Sequence, residues 1–144
     1  HAFGYDGFRW HARAFCHIDG KFKDFLLPRA LEARGAGEPG PAGDQDRLWQ
    51  EYFSFEIVPH PDLTPSQQIV VAKDYGMTDG KCVLSVRYAM LFYVLRRLGL
   101  LGDATKEPAR RQHIVVSRLS DVQTALAHAE FIENNTENAA GAQR

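Results

Sequence analysis

Cysteine is scarce in this 144-residue chain, with only Cys16 and Cys82 present. They lie far apart, so neither a disulfide framework nor a Cys-based zinc site is indicated, and two buried thiols in a reducing compartment are expected. Six histidines are present, but none pairs at common zinc spacing, and His11 and His17 stand six residues apart. No apolar run is long enough to cross a bilayer as a helix. An excess of positive charge is also missing: the net charge of −1 argues against a chain coated for gripping duplex DNA, so any basic site must be local. The glycines between 35 and 43 alternate with prolines and precede no Lys-Ser or Lys-Thr pair, so there is no phosphate-cradling loop. No elbow-type serine motif occurs, and Cys16 falls on an expected apolar face away from His11 and His17. These absences point away from an enzyme and from any metal or cofactor. No signal or transit pattern is present, so the expected compartment is the cytoplasm. The chain opens on His1 rather than Met, and an upstream portion is expected.

What is present is ordinary globular material, 44% hydrophobic and 24% charged. Two small, touching subdomains fit the pattern. Residues 8–18 alternate, with Phe8, Trp10, Ala12, Ala14 and Cys16 on one face and Arg9, His11, Arg13, Phe15 and His17 on the other. Asp19-Gly20 suits a two-residue turn, so a hairpin from Arg9 to about Arg29 is predicted. That turn would place Trp10 opposite Arg29, Ala12 opposite Leu27, Ala14 opposite Phe25 and Phe15 opposite Asp24. Residues 36–50 read as a Gly/Pro-rich linker. Tyr52 to Val58 alternates as a strand, with Phe53, Phe55 and Ile57 on one side. Thr64-Pro65-Ser66-Gln67 is a capping-box helix start, with the helix running to about Tyr75 and ending at Gly76. A helix within Cys82 to Gly99 carries Leu84, Tyr88, Leu91, Phe92, Leu95 and Leu98 at three- and four-residue spacing. A short strand within 112–117 and a helix from Ser120 to Ile132, capped by Ser120 with Gln123, complete the region 51–132. Residues 133–144 read as a disordered tail.

The feature with chemical content is the face bearing Arg9, His11, Arg13 and His17, which no acid interrupts. Arg9 and Arg13 are separated by about 13 Å at roughly 3.3 Å per residue, a span suited to a ligand with several anionic groups. Two readings stay open at this point: an anion site, or a solvated basic face partly balanced by Asp6 and Asp24. Arg96, Arg97, Arg110 and Arg111 offer a second anionic site or simply complement a helix dipole.

The run from Gly4 to Cys16, with Trp10 followed by His11 and Ala12, and the later Phe25-x-Leu27-x-Arg29, resembles the second part of a WYL domain. The stretch from Phe53 to about Leu100 resembles the extension that follows WYL in bacterial regulators. Arg9-Trp10-His11-x-Arg13 with Tyr75-Gly76-Met77 is similar to regulators encoded beside phage-defence systems. The resemblance implies an α+β chain: residues 1–35 as part of an Sm-like small β-barrel, then an α+β extension that dimerises. It implies a transcriptional regulator whose sensor takes a nucleic-acid-type, nucleotide or other anionic effector and whose missing winged helix binds DNA. Trp10, His11 and Arg29 are ligand-site candidates by motif position, and the face argument adds Arg9 and Arg13. A homodimer is expected. The competing functions are a dimerisation scaffold without a ligand of its own, and a hydrolase or nuclease.

Overall fold

The computed structural model describes residues 1–35 and 37–141, with side-chain surroundings as far as residue 133. Three strands open the chain: β1 (Ala2–Tyr5), β2 (Trp10–Cys16) and β3 (Lys21–Leu26), forming an antiparallel sheet A in the order β1-β2-β3. There follow a short helix α1 (Arg47–Gln50), β4 (Tyr52–Pro59), α2 (Pro65–Asp74), β5 (Cys82–Arg87), α3 (Tyr88–Leu98), β6 (Ile114–Val116) and α4 (Leu119–Gly141). Sheet B is antiparallel, in the order β5-β4-β6. The α+β class is as expected. The Sm-like barrel is met only as an open three-stranded sheet; among the described residues no barrel closes.

Sheet B carries the hydrocarbon core. Phe55 and Ile57 of β4 point inward beside Ile114, Val115 and Val116 of β6, and meet Val71 of α2, Leu91 and Leu95 of α3, and Val122 and Ala125 of α4. The β4 alternation is therefore a true inside–outside pattern. The capping box of α2 is present as read: the Gln67 amide donates to Thr64 Oγ1 at 3.4 Å and the Thr64 amide donates to Gln67 Oε1 at 2.9 Å. Gly99 ends α3 with φ +72°, the left-handed conformation that glycine adopts without a Cβ penalty.

Several expectations are corrected. The hairpin turn is a four-residue loop, 17–20, closed by the Gly20 amide donating to the Cys16 carbonyl at 2.8 Å with Gly20 at φ +66°. The register is therefore Ala12 opposite Phe25 and Arg13 opposite Asp24, two residues from the expected pairing. A slip of two preserves the face of every side chain, whereas a slip of one would reverse it. Leu84 lies in a strand rather than a helix, because Cys82–Arg87 alternates and pairs with β4 along its length. The approach to the hairpin, Ala2–Tyr5, is itself a strand. Helix α4 begins at Leu119, so Ser120 sits inside the first turn rather than at the cap, its hydroxyl against Asp121. The same helix continues to Gly141, so the expected tail is helical over 133–141; residues 142–144 lie outside the described residues. The linker stretch is exposed over most of its length, but Asp46 is 2% exposed and Leu48 in α1 is buried.

Candidate anion-binding groove between sheet A and helix α3

The main inversion concerns which face of sheet A is inside. His11 is 1% and Arg13 2% exposed, while Trp10 is 53% and Phe8 69% exposed. The basic face packs inward and the aromatic face looks out. Burying an arginine is tolerable only with full pairing, since an uncompensated charge costs several kcal/mol. Arg13 has it: Nε donates to Asp46 Oδ2 at 2.7 Å and Nη2 to Asp46 Oδ1 at 2.9 Å, a bidentate fork, and Nη1 lies 3.3 Å from Asp24 Oδ2. Asp46 also receives the Trp49 amide at 3.3 Å, which caps α1. Burial works against the Arg13 charge, but the two carboxylates outweigh it and raise its pKa. For Asp24 burial prevails over the Arg13 attraction and its pKa is raised.

A second polar unit supports the β1–β2 turn. His11 Nε2 lies 2.8 Å from Asp6 Oδ2, and Asp6 Oδ1 accepts the Phe8 amide at 2.8 Å and the Arg9 amide at 2.6 Å. Burial pushes the Asp6 carboxyl up, but these hydrogen bonds prevail and hold it down at about 2. The expected acid-free basic face is thus answered by acids from outside the strand: Asp6, Asp24 and Asp46.

Above this layer lies a groove of about 600 Å³ lined by Arg9, His11, Asp24, Leu27, Arg29, Tyr93 and Arg96, among others. Sheet A supplies one wall. The 3₁₀ turn Leu27–Arg29, with Pro28 fixing its start, brings Arg29 to the rim, and α3 supplies the other wall through Tyr93 and Arg96. The Tyr93 ring lies against His11, 4.3 Å centroid to centroid and tilted by 48°. Burial, helped by the Asp24 charge, raises the Tyr93 hydroxyl pKa, so it stays a neutral donor. Three buried polar atoms of lining residues have no hydrogen-bond partner: Arg9 Nε, His11 Nδ1 and Asp24 Oδ1. Each costs about 1–3 kcal/mol if left unmet. Arg9 Nε is 3.9 Å from Asp6, an ion pair but not a hydrogen bond.

Of the five ligand-site candidates read from the sequence, Arg9, His11 and Arg29 meet in this groove. Trp10 is on the opposite face of sheet A, against Tyr5 at 5.2 Å, and Arg13 lies in the polar layer, fully paired. Sequence reasoning missed Tyr93 as a wall residue and assigned Arg96 only to a separate cluster or to the helix dipole. The available signal was a Tyr-Val-Leu-Arg-Arg run on one helix, which places Tyr93 and Arg96 on a single face three residues apart. Among the described residues no group of three or more His, Cys, Asp and Glu side chains could hold a metal, and no helix is long and apolar enough to cross a membrane.

The groove and the α+β fold do not by themselves fix a function, and comparison with known proteins gives the class. Residues 52–122, which run from β4 to the first turn of α4, match the family model described as the BrxR transcriptional regulator C-terminal dimerization domain. More particularly, the chain is similar to the DNA-binding transcriptional repressor CapW of Stenotrophomonas maltophilia, 46% identical over 126 residues, covering 85% of this chain and 42% of that protein. It is also similar to CapW of Escherichia coli strain KTE188, 38% identical over 126 residues with 88% and 42% covered, and of Pseudomonas aeruginosa, 37% over 103 residues with 72% and 34% covered. The chain spans about two-fifths of the length of these curated relatives. They are DNA-binding transcriptional repressors, and they support a transcriptional regulator here.

Proposed function

We propose that the chain is the effector-sensing and dimerising C-terminal part of a cytoplasmic, homodimeric transcriptional repressor, and that an upstream winged-helix domain binds DNA. A nucleic-acid-type or other anionic effector, seated on Arg9, His11 and Arg29, sets the affinity of that domain for its operator. The resemblance to a WYL sensor and to regulators of phage-defence systems supports the same reading. The observation that carries it is the groove: Arg29 and Arg96 are exposed on its rim, and neither forms an ion pair with a described acid. Arginine forks match phosphate oxygens bidentately, and His11 Nδ1 lies unpartnered in the same lining.

A ligand-free dimerisation scaffold is the second reading, favoured by one specific fact. Arg13 is already paired with acids of the chain itself, and the Nε2 side of His11 is taken by Asp6. The discriminating experiment is calorimetric titration of the chain with tetrathymidylate across a salt series, using the wild type and Arg29→Glu. The sensor reading expects micromolar-range binding that weakens with salt and falls at least ten-fold in Arg29→Glu, since each lost charge-assisted bond is worth about 1.5–3 kcal/mol. Equal binding by both proteins, or none by either, sinks the sensor reading and leaves the scaffold.

A further inference from the structure

Arg9 does not stand at the end of the basic surface but in its middle. On its far side is a second cavity of about 360 Å³, lined by Asp6, Phe8, Arg9, Tyr93, Arg96 and Arg97. The two cavities share Arg9, Tyr93 and Arg96. Phe8 collects the charges here: the Arg9 guanidinium lies 5.8 Å and the Arg97 guanidinium 6.0 Å from its ring centroid. Gly7, at φ +88°, lies beside the Arg97 side chain, where an added Cβ would meet Arg97 Cγ at 3.5 Å.

The charge count of the combined surface is one-sided. Arg9, Arg29, Arg96 and Arg97 face two acids, Asp6 and Asp24, each of which has prior partners: Asp6 holds His11 and two backbone amides, and Asp24 holds Arg13. Neither Arg96 nor Arg97 forms an ion pair with a described acid. Arg9 has only the long 3.9 Å contact with Asp6, and Arg29, Arg96 and Arg97 are exposed with no described acid paired to them, so the surface presents a net positive charge that an anion reaching across it would offset. Arg9, whose Nε has no hydrogen-bond partner, lines both cavities.

We propose that the second cavity is a second anionic subsite of the effector groove, so that the preferred ligand carries at least two separated phosphate-type groups on one chain. Arg29 and Arg96 take one group, Arg96 and Arg97 the next, and Arg9 bridges them. A single phosphate fills one subsite and leaves the other repulsive. Half of the second subsite's lining, Tyr93, Arg96 and Arg97, comes from α3, which belongs to the region similar to a dimerization domain. A ligand filling both therefore ties sheet A to that region. This rests on the groove being the effector site.

The test compares inorganic phosphate, tripolyphosphate and tetrathymidylate as ligands of the 144-residue chain, with wild type, Arg29→Ala, Arg97→Ala and Arg97→Lys, all checked for unchanged thermal unfolding. Tripolyphosphate, tetrathymidylate or both should bind at least ten-fold more tightly than phosphate. Which of them gains tells whether charge alone or a nucleic-acid chain is preferred. Arg97→Ala should remove most of that gain while leaving phosphate binding within two-fold, and Arg97→Lys should retain part of it. If the gain survives intact in Arg97→Ala while Arg29→Ala weakens every probe, the second subsite is wrong and the effector groove stands. If wild type binds none of the probes, or Arg29→Ala changes nothing, the effector reading itself fails and takes the second subsite with it.

Discussion

The two sheets of this molecule are held against the same helix by opposite means. Sheet B presses Phe55 and Ile57 onto Leu91 and Leu95 of α3, a dry contact with all four residues at most 6% exposed. Sheet A meets the neighbouring turns of α3 with His11 on Tyr93, Gly4 against Met90 and, beneath, the Arg13–Asp46–Asp24 cluster. Hydrocarbon packing is non-directional and tolerates small shifts, whereas a bidentate ion pair at 2.7 and 2.9 Å admits essentially one geometry. One interface supplies bulk stability, and the other sets how sheet A sits on the helix that lines the groove.

The largest break in this contrast should come from Arg13→Met. It leaves Asp46 and Asp24 buried without their cation and should destabilise sheet A by about 3–5 kcal/mol. Hydrogen exchange should show the loss first in β1–β3, with β4 and α3 protected longer. Combining it with Asp46→Asn should cost less than the sum of the two single changes, because one of the two orphaned carboxylates is then neutral. Uniform deprotection of both sheets would mean they unfold as one unit. Leu91→Ala is the counterpart on the hydrocarbon side. Leu91 is 0% exposed, and its truncation should cost about 2–5 kcal/mol by urea unfolding, with exchange rising in sheet B first.

The smallest effect separates the two sheets by pH. Asp6 is held at about 2 against an ordinary 3.8, so its contribution is complete above about pH 4 and is lost as pH falls through 2. Asp6 keeps 9% of its surface exposed, and solvent screening limits the effect to about 1–2 kcal/mol. Asp24, with a raised pKa, contributes in the opposite sense: ionising it on the way up from acid destabilises the fold. Urea melts between pH 2 and 6 should therefore show a net acid loss in the wild type that Asp6→Asn flattens. An unchanged acid limb in that variant would show that Asp6 is not its source.

Much of sheet B was legible. The β4 alternation, the Thr64 capping box and the Gly99 stop are local signals, each complete within a few residues of sequence. Leu84 misled because it falls in phase with Tyr88, Leu91 and Leu95, so a helical spacing ran backward into a strand that its own Val-Leu-Ser-Val alternation supports. Sheet A was legible as a hairpin and as two faces, but not as to which face is inside. Charge ordinarily marks the solvent side, and the rule fails only when partners are supplied from elsewhere. Asp46, the partner of Arg13, stands 33 residues further on, beyond a stretch that reads as a linker. For the groove the same limit applied: His11 and Arg29 could be picked by motif and Arg9 by the strand face, while Tyr93 and Arg96 join them only through tertiary packing.

The Arg13 cluster also governs how such a sequence can drift. In sheet B an Ile can give way to a Val, or a Leu to a Met, in single tolerable steps. At positions 13 and 46 no single step is mild, since each leaves its partner's charge buried and unmatched. Change there must arrive in concert or not at all. The two halves of one small protein are therefore expected to age at different rates, the oily half wandering freely while the ionic half stays still for long intervals and then moves in jumps.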